Sequence, residues 1–203
     1  MVREFPGVAF ERYVDDAVVH CVSEEQATLV VKAISDRMEQ VGLRLHPDKT
    51  RVVYCRDGRR RGSYEHTSFT FLGFEFRQRR ARNKHGQQFS SVLPAISKEA
   101  LKRLNEEVRS WRLHNKTGLT LAELARRINP IVRGWMQYYG AFYRSALYQL
   151  LTRINAYLVR WIRKKYKRLQ AKKKALECWR GITRRYPRMF THWAWTPSVP
   201  RVW

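Results

Sequence analysis

The sequence predicts an α+β protein in which strands come first and helices come after. Three observations carry that reading. Runs of β-prone residues with period-two alternation, such as Phe69 to Phe76 (FTFLGFEF), are confined to residues 1–96. From Ser97 onward the apolar residues recur every three or four positions instead. Charge changes at the same place: residues 1–96 hold 16 basic and 12 acidic side chains, whereas residues 97–203 hold 25 and 5. Three segments are therefore expected: 1–96, a helical 97–176, and a short helix with an aromatic tail over 177–203.

In chain order, Val8 to Val14 and Val18 to Val22 read as strands joined by a tight turn, with Asp15 and Asp16 at its tip. Ser23 and Gln26 form a capping-box pattern ahead of Ala27, Val31, Ile34, Met38 and Val41, which share one helical face, and Gly42 closes that helix. Leu43 to Leu45 and Arg51 to Cys55 are expected as short strands about the turn His46-Pro47-Asp48. An Arg- and Gly-rich loop spans Arg56 to Gly62. Phe69 to Phe76 comes next as a strand in which Gly73 marks a bend or a close backbone approach. Arg77 to Lys84, with Ala81 its one apolar residue, reads as a second basic loop. Beyond Ser97, Leu101, Leu104, Val108 and Trp111 mark one helix, and Thr120 with Glu123 caps another bearing Leu121, Leu124 and Ile128. Asn129-Pro130 has the form of an N-cap followed by a first-turn proline, so a third helix is expected to start there. A long amphipathic helix from Leu147 toward Lys174 and an aromatic tail, Trp193 to Trp203, complete the chain.

Forty-one Lys and Arg against 17 Asp and Glu give a formal charge of +24, a field that calls for a polyanionic partner. Nucleic acid fits. No apolar stretch is long enough to span a bilayer, so no membrane partner is expected, and a cytoplasmic location is the default. Cys21, Cys55 and Cys178 are odd in number and widely spaced, which argues against a disulfide framework or a zinc site and for buried small hydrophobes.

Phosphoryl transfer by two metal ions needs carboxylates held together at a rigid point, and Tyr13-Val14-Asp15-Asp16 on a hairpin tip offers a pair. Adjacent acids in a solvated turn are the competing reading. The order of the downstream segments adds information: a helix, then Gly42 to Thr50 with its Gly-Leu-x-Leu and Lys-Thr, then Phe71-Leu72-Gly73-Phe74. This series resembles the later palm motifs of reverse transcriptases. Asn129 to Trp135 (NPIVRGW) with Tyr138-Tyr139, and the basic helix Leu158 to Leu169, resemble the maturase-specific region of group II intron-encoded reverse transcriptases.

The resemblance implies a partial reverse-transcriptase palm followed by an all-helical thumb and maturase domain. It makes Asp15 and Asp16 the metal-binding pair for Mg²⁺, places Tyr13 beneath the primer terminus, and gives Lys49 the position of the lysine that protonates the leaving group. Phe71, Leu72 and Gly73 fall where the family has its primer grip. Val14 stands where the family more usually has Ala. A further catalytic aspartate and the fingers, which precede this motif in the family, have no counterpart in Met1 to Arg12. The two-metal site is therefore expected to be incomplete and the isolated chain inactive as a polymerase. The family's optional endonuclease domain is likewise expected to be missing, since no CxxC pair or histidine cluster comes after the helices.

The helical half supplies the expected RNA contacts. Arg160, Arg163, Lys164, Lys165, Lys167, Arg168 and Lys172 to Lys174 have almost no acids between them, and phosphates remove the resulting repulsion. Arg126, Arg127 and Arg133 lie beside Trp135, Tyr138 and Tyr139, a mixture suited to phosphates and unpaired bases, although aromatic residues at helical spacing also build cores. The expected partner is group II intron RNA, with a DNA primer or target as a further one. Three other readings stay open: a polymerase reconstituted with a separately encoded palm and fingers piece, a basic remnant that adheres to any nucleic acid, and an amphipathic membrane helix around Leu147 to Leu169.

Overall fold

The computed structural model describes residues 5–57, 62 and 64–196. The protein is α+β and divides into two compact units. The first holds the described residues up to Leu72 with Phe76–Val92; the second holds Gly73–Glu75 and the chain from Leu93 on.

In the first unit, β1 (Phe10–Tyr13) and β2 (Asp16–Val19) form a two-stranded antiparallel hairpin, with Tyr13 opposite Asp16 and Phe10 opposite Val19. Both strands are shorter than the apolar runs suggest. Val8 and Val22 lie beyond the ladder, whose last described rung is the His20 N–H to Ala9 carbonyl bond of 2.9 Å. Helix α1 (Glu24–Gln40) begins as expected at Ser23, whose hydroxyl accepts from the Gln26 N–H. The Gln26 side chain reaches back one residue further than a capping box requires, accepting from the Val22 N–H at 2.8 Å. The helix ends in a Schellman motif: the Leu43 N–H donates to the Met38 carbonyl and the Gly42 N–H to that of Glu39, with Gly42 at φ +74°.

Leu43–Leu45 and Arg51–Cys55 are not strands. A ladder needs a hydrogen-bonding neighbour along its length, and neither stretch joins a sheet among the described residues, although the Tyr54 N–H donates to the His66 carbonyl. Of the Arg- and Gly-rich loop, residues 58–61 lie outside the described residues.

Phe69 to Phe76 is two strands instead of one. β3 (Ser68–Phe71) turns through Leu72 at φ +50° and Gly73 at φ +78° into β4 (Phe74–Arg82), and two central residues of positive φ are the geometry of a type I′ hairpin. Period-two alternation survives a two-residue turn, which is why the sequence pattern hides it. The expected basic loop at Arg77 to Lys84 is mostly strand. β4 runs to Arg82, and Asn83 organises the next turn, its side-chain oxygen accepting from the His85 and Gln87 N–H groups before β5 (Gln88–Ile96). The sheet order is β3-β4-β5.

In the second unit, Ser97 caps α2 (Lys98–Ser110) and a reciprocal Thr120–Glu123 capping box opens α3 (Leu121–Tyr139). Helix α3 passes through Pro130 without stopping. A mid-helix proline costs about 3 kcal/mol through its lost N–H bond and ring clash. Burial of Leu124, Ile128, Val132 and Met136, spaced four apart on both sides of the proline, offsets that cost. Asn129 is not a cap: its amide donates to the Met189 carbonyl at 2.9 Å and accepts from the Thr191 N–H at 3.0 Å, sixty residues downstream.

Helix α4 (Tyr148–Lys165) stops at Tyr166, well short of Lys174, and α5 (Lys172–Arg185) comes after a 3-10 turn. Helix α4 is the centre of this unit, with Leu150, Leu151, Ile154, Leu158, Trp161 and Ile162 at or below 1% exposure. One polar residue, Asn155, is buried among them. Its oxygen accepts from His192 Nε2 at 2.7 Å and Trp193 Nε1 at 3.0 Å, and its amide donates to the Thr196 carbonyl at 2.7 Å. The 3-10 helix Thr191–Ala194 is thereby fixed to α4; residues 197–203 of the expected aromatic tail lie outside the described residues. The three cysteines are half-buried instead of fully buried, and Cys178 packs against the helical core.

This polar centre has two measurable consequences. Asn155→Ala leaves two ring N–H donors without their acceptor in the core, and is expected to lower the unfolding free energy by about 2–4 kcal/mol in a urea titration. Burial holds the His192 pKa at about 3, against 6.5 for the free side chain. The unfolded chain therefore binds the extra proton first, so stability is complete above pH 6.5 and falls as the pH drops toward 3, by at most about 1.4 kcal/mol per unit. His192→Gln should flatten that part of the profile relative to the parent chain, whatever its effect at neutral pH.

Candidate nucleic-acid interface

The acidic pair sits on a two-residue hairpin loop, Val14-Asp15, closed by Tyr13 and Asp16. Val14 has φ +55° and is 69% exposed, so a β-branched residue is held in the left-handed region with no burial to offset it. Such strain is of order 1–3 kcal/mol and is characteristic of functional turns. The Arg12 Nε donates to the Val14 carbonyl at 2.9 Å and steadies the loop. Tyr13, Asp15 and Asp16 are all exposed. Hard carboxylate oxygens at such a tip suit Mg²⁺, which is commonly held by one or two carboxylates with substrate phosphates completing the shell. Among the described residues no group of three or more potential metal ligands comes together. Lys49 lies on an exposed turn, its N–H bonded to the His46 carbonyl.

Phe71 ends β3 and Leu72, 38% exposed, begins the turn. Gly73 serves both roles open to it, turn and close approach. A Cβ there would lie 3.1 Å from the Tyr139 hydroxyl, and the Gly73 carbonyl accepts from the Ser97 N–H. Phe74 is buried beside Tyr138 and Tyr139, with ring centroids 5.0 and 5.4 Å away. Tyr139 is thus a packing residue, while Tyr138 keeps about half its surface open. Trp135 is half-buried and stacked on Trp111 at 5.4 Å and 5°, with Trp111 Nε1 donating to Glu107.

The cations divide into two kinds. Arg126, Arg127, Arg133, Lys167 and Arg168 are exposed and form no salt bridge among the described residues. Lys164 and Lys165 are anchored: Lys164 donates to the Asn115 side-chain oxygen at 2.8 Å, and Lys165 to the Leu119 carbonyl at 2.7 Å while lying over the Trp161 ring. With Trp161 Nε1 on the Lys116 carbonyl, they hold the 113–119 connection against the end of α4. Arg163 donates to the Gln170 carbonyl at 2.7 Å, closing the turn between α4 and α5. Arg160 lies over the Tyr157 ring, which in turn stacks on His114. Burial, and then the charges of Lys164, Arg160 and Arg112, hold the His114 pKa below its ordinary value.

Helix α5 begins with Lys172, Lys173 and Lys174, all exposed, with no side-chain cap and no acid in its first turn. Three cations at the positive end of a helix dipole repel both one another and the uncapped N–H groups. An anion there removes both penalties. Sequence reasoning missed a further basic groove, an open cleft of about 410 Å³ lined by Lys98, Lys102, Arg109 and Arg153 with Asn105 and Glu106. The four-residue spacing of Lys98 and Lys102 was the available signal. No helix among the described residues is long and apolar enough to cross a membrane.

Two family models match. Residues 101–179 match the group II intron, maturase-specific domain, and residues 1–76 match reverse transcriptase (RNA-dependent DNA polymerase). No curated relative matches the chain.

The two kinds of cation are separable by substitution. Lys165→Ala is expected to cost about 1–2 kcal/mol of stability by denaturant unfolding. Arg168→Ala should stay within about 0.5 kcal/mol of the parent yet lower the slope of log affinity for single-stranded RNA against log salt by about 0.7.

Proposed function

Because the chain belongs to the group II intron-encoded reverse transcriptases and maturases, we propose that it binds intron RNA through its C-terminal helices and helps that RNA fold for splicing. The RNA itself supplies the splicing chemistry. In this reading residues 97–176 form the thumb and maturase surface, residues 1–96 the end of the palm, and residues 177–203 a closing helix and tail. The observation that carries the proposal is the cationic stretch from Lys167 to Lys174, which runs into the uncapped start of α5 without a single acid. Arg126, Arg127, Arg133 and Tyr138 are exposed as well and add cations and an aromatic ring on α3.

For the palm motifs, the proposal keeps the family roles residue by residue. Asp15 and Asp16 would hold Mg²⁺, which when bound supplies charge stabilisation for phosphoryl transfer. Tyr13 lies beside them, Lys49 would protonate a leaving pyrophosphate, and Phe71, Leu72 and Gly73 would seat a DNA primer. Two carboxylates do not complete a two-metal site. We therefore place RNA binding, and not polymerisation, as the activity of these 203 residues on their own. A second reading is polymerisation together with a separately encoded palm and fingers piece. It draws on the two-stranded β1-β2 sheet, whose outer edges pair with no other strand among the described residues.

Two assays test this. In competition at moderate salt, intron RNA should outcompete random RNA of equal length, and loss of that preference together with all binding as salt rises would reduce the chain to a nonspecific polycation. In primer extension with Mg²⁺, the chain alone should give no product, and robust synthesis abolished by Asp15→Ala would overturn the assignment.

A further inference from the structure

We infer that a groove at the C-terminal end of α3, lined by Arg133, Gln137, Gly140, Arg144, Thr191 and Trp195, seats one unpaired nucleotide of an RNA strand. The inference rests on the RNA-binding reading above and names a place and a mode that charge alone does not give.

The groove is small, about 310 Å³, at the lower end of the range for small-ligand sites. A single nucleotide suits it better than a duplex. Trp195 gives it an aromatic lining. The Trp195 indole packs on Gly140 so closely that any Cβ at that position would collide with the edge of the ring. The Arg144 guanidinium lies over the same indole, 5.1 Å from its centroid. A cation held over an indole keeps a guanidinium and an aromatic ring together at one place, and unpaired bases stack on Arg and aromatic planes.

The walls carry the complementary chemistry. Arg133 and Gln137 stand one turn apart on α3, both exposed, and Gln137 offers both a donor and an acceptor to a base edge. Arg133 and Arg144 are two cations for the flanking phosphates, and no carboxylate among the described residues lines the groove. An acidic peptide would use the cations but leave the aromatic ring without a partner.

The ring is also held from behind. Thr191, which lines the groove, has its N–H on Asn129, and the Trp195 N–H donates to the carbonyl of His192, whose ring is bonded to Asn155. The groove therefore exists before any ligand arrives, which lowers the ordering cost of binding.

The test compares a single-stranded RNA oligonucleotide with a blunt RNA duplex of equal charge, by fluorescence anisotropy at fixed salt, using the full chain. Arg144→Ala and the double variant Arg133→Ala, Gln137→Ala change exposed side chains, and thermal melts confirm that each is folded. Each is expected to weaken single-strand binding about ten-fold and duplex binding less than two-fold. A 4-thiouridine in the oligonucleotide should crosslink to the peptide containing Trp195. Equal losses on both RNAs, or no loss on either with the crosslink elsewhere, would overturn the site while leaving RNA binding intact. A parent chain that binds neither RNA would overturn the RNA reading and this site with it.

Discussion

A side-chain amide in the middle of an apolar helix, that of Asn155, sets the terms for the C-terminal unit. Asn155 lies on the buried side of helix α4 between Ile154 and Ala156, and in such surroundings an unpartnered carboxamide is costly. The residue is tolerated because His192, Trp193 and the Thr196 backbone close around it. Those partners come from the last described stretch of chain, so satisfying one polar group in the core fixes a segment that has little regular structure of its own. Asn129 repeats the device from α3 by bonding Met189 and Thr191. Between them the two asparagines bring Trp195 down on Gly140, and Arg144 then has a ring to lie on.

Much of this fold is legible in the sequence where the signal is local. Ser23 and Thr120 cap helices as their spacing indicates, and Gly42 ends α1. The apolar stripes of α2, α3 and α4 face the core. The illegible parts depend on partners far away in sequence. Asn129-Pro130 carries the local signature of a helix start, but the packing of Ile128 and Val132 outweighs the proline and the amide is claimed by residues sixty positions on. Leu72-Gly73 lacks the Asn-Gly or Asp-Gly composition that announces a type I′ turn, so the hairpin reads as one strand. The candidate site divides in the same way. Its acidic pair and its excess of cations are visible by composition, whereas the anchoring of Lys164 and Lys165 is not, because their acceptors, Asn115 and the Leu119 carbonyl, announce nothing in the sequence.

Val14 illustrates a different kind of constraint. The hairpin tip needs a positive φ at a position where the chain has a β-branched residue, and the exposed valine gains no burial in exchange. Local propensity and local geometry disagree there, and such disagreements concentrate at working positions because elsewhere they have nothing to maintain them. The tip carries its two carboxylates on a backbone whose shape the sequence does not favour for its own sake.

The acceptors chosen by the anchored cations have a practical consequence. Arg163, Lys164 and Lys165 bond to backbone carbonyls and an amide oxygen, not to carboxylates. Contacts of that kind are short-ranged, and that of Lys165 is part-buried, whereas the attraction of the open cations for phosphate weakens steeply as mobile ions are added. A strong salt wash should therefore strip co-purifying nucleic acid from this polypeptide and leave its helices assembled, so that material of this high charge can be cleaned without being unfolded.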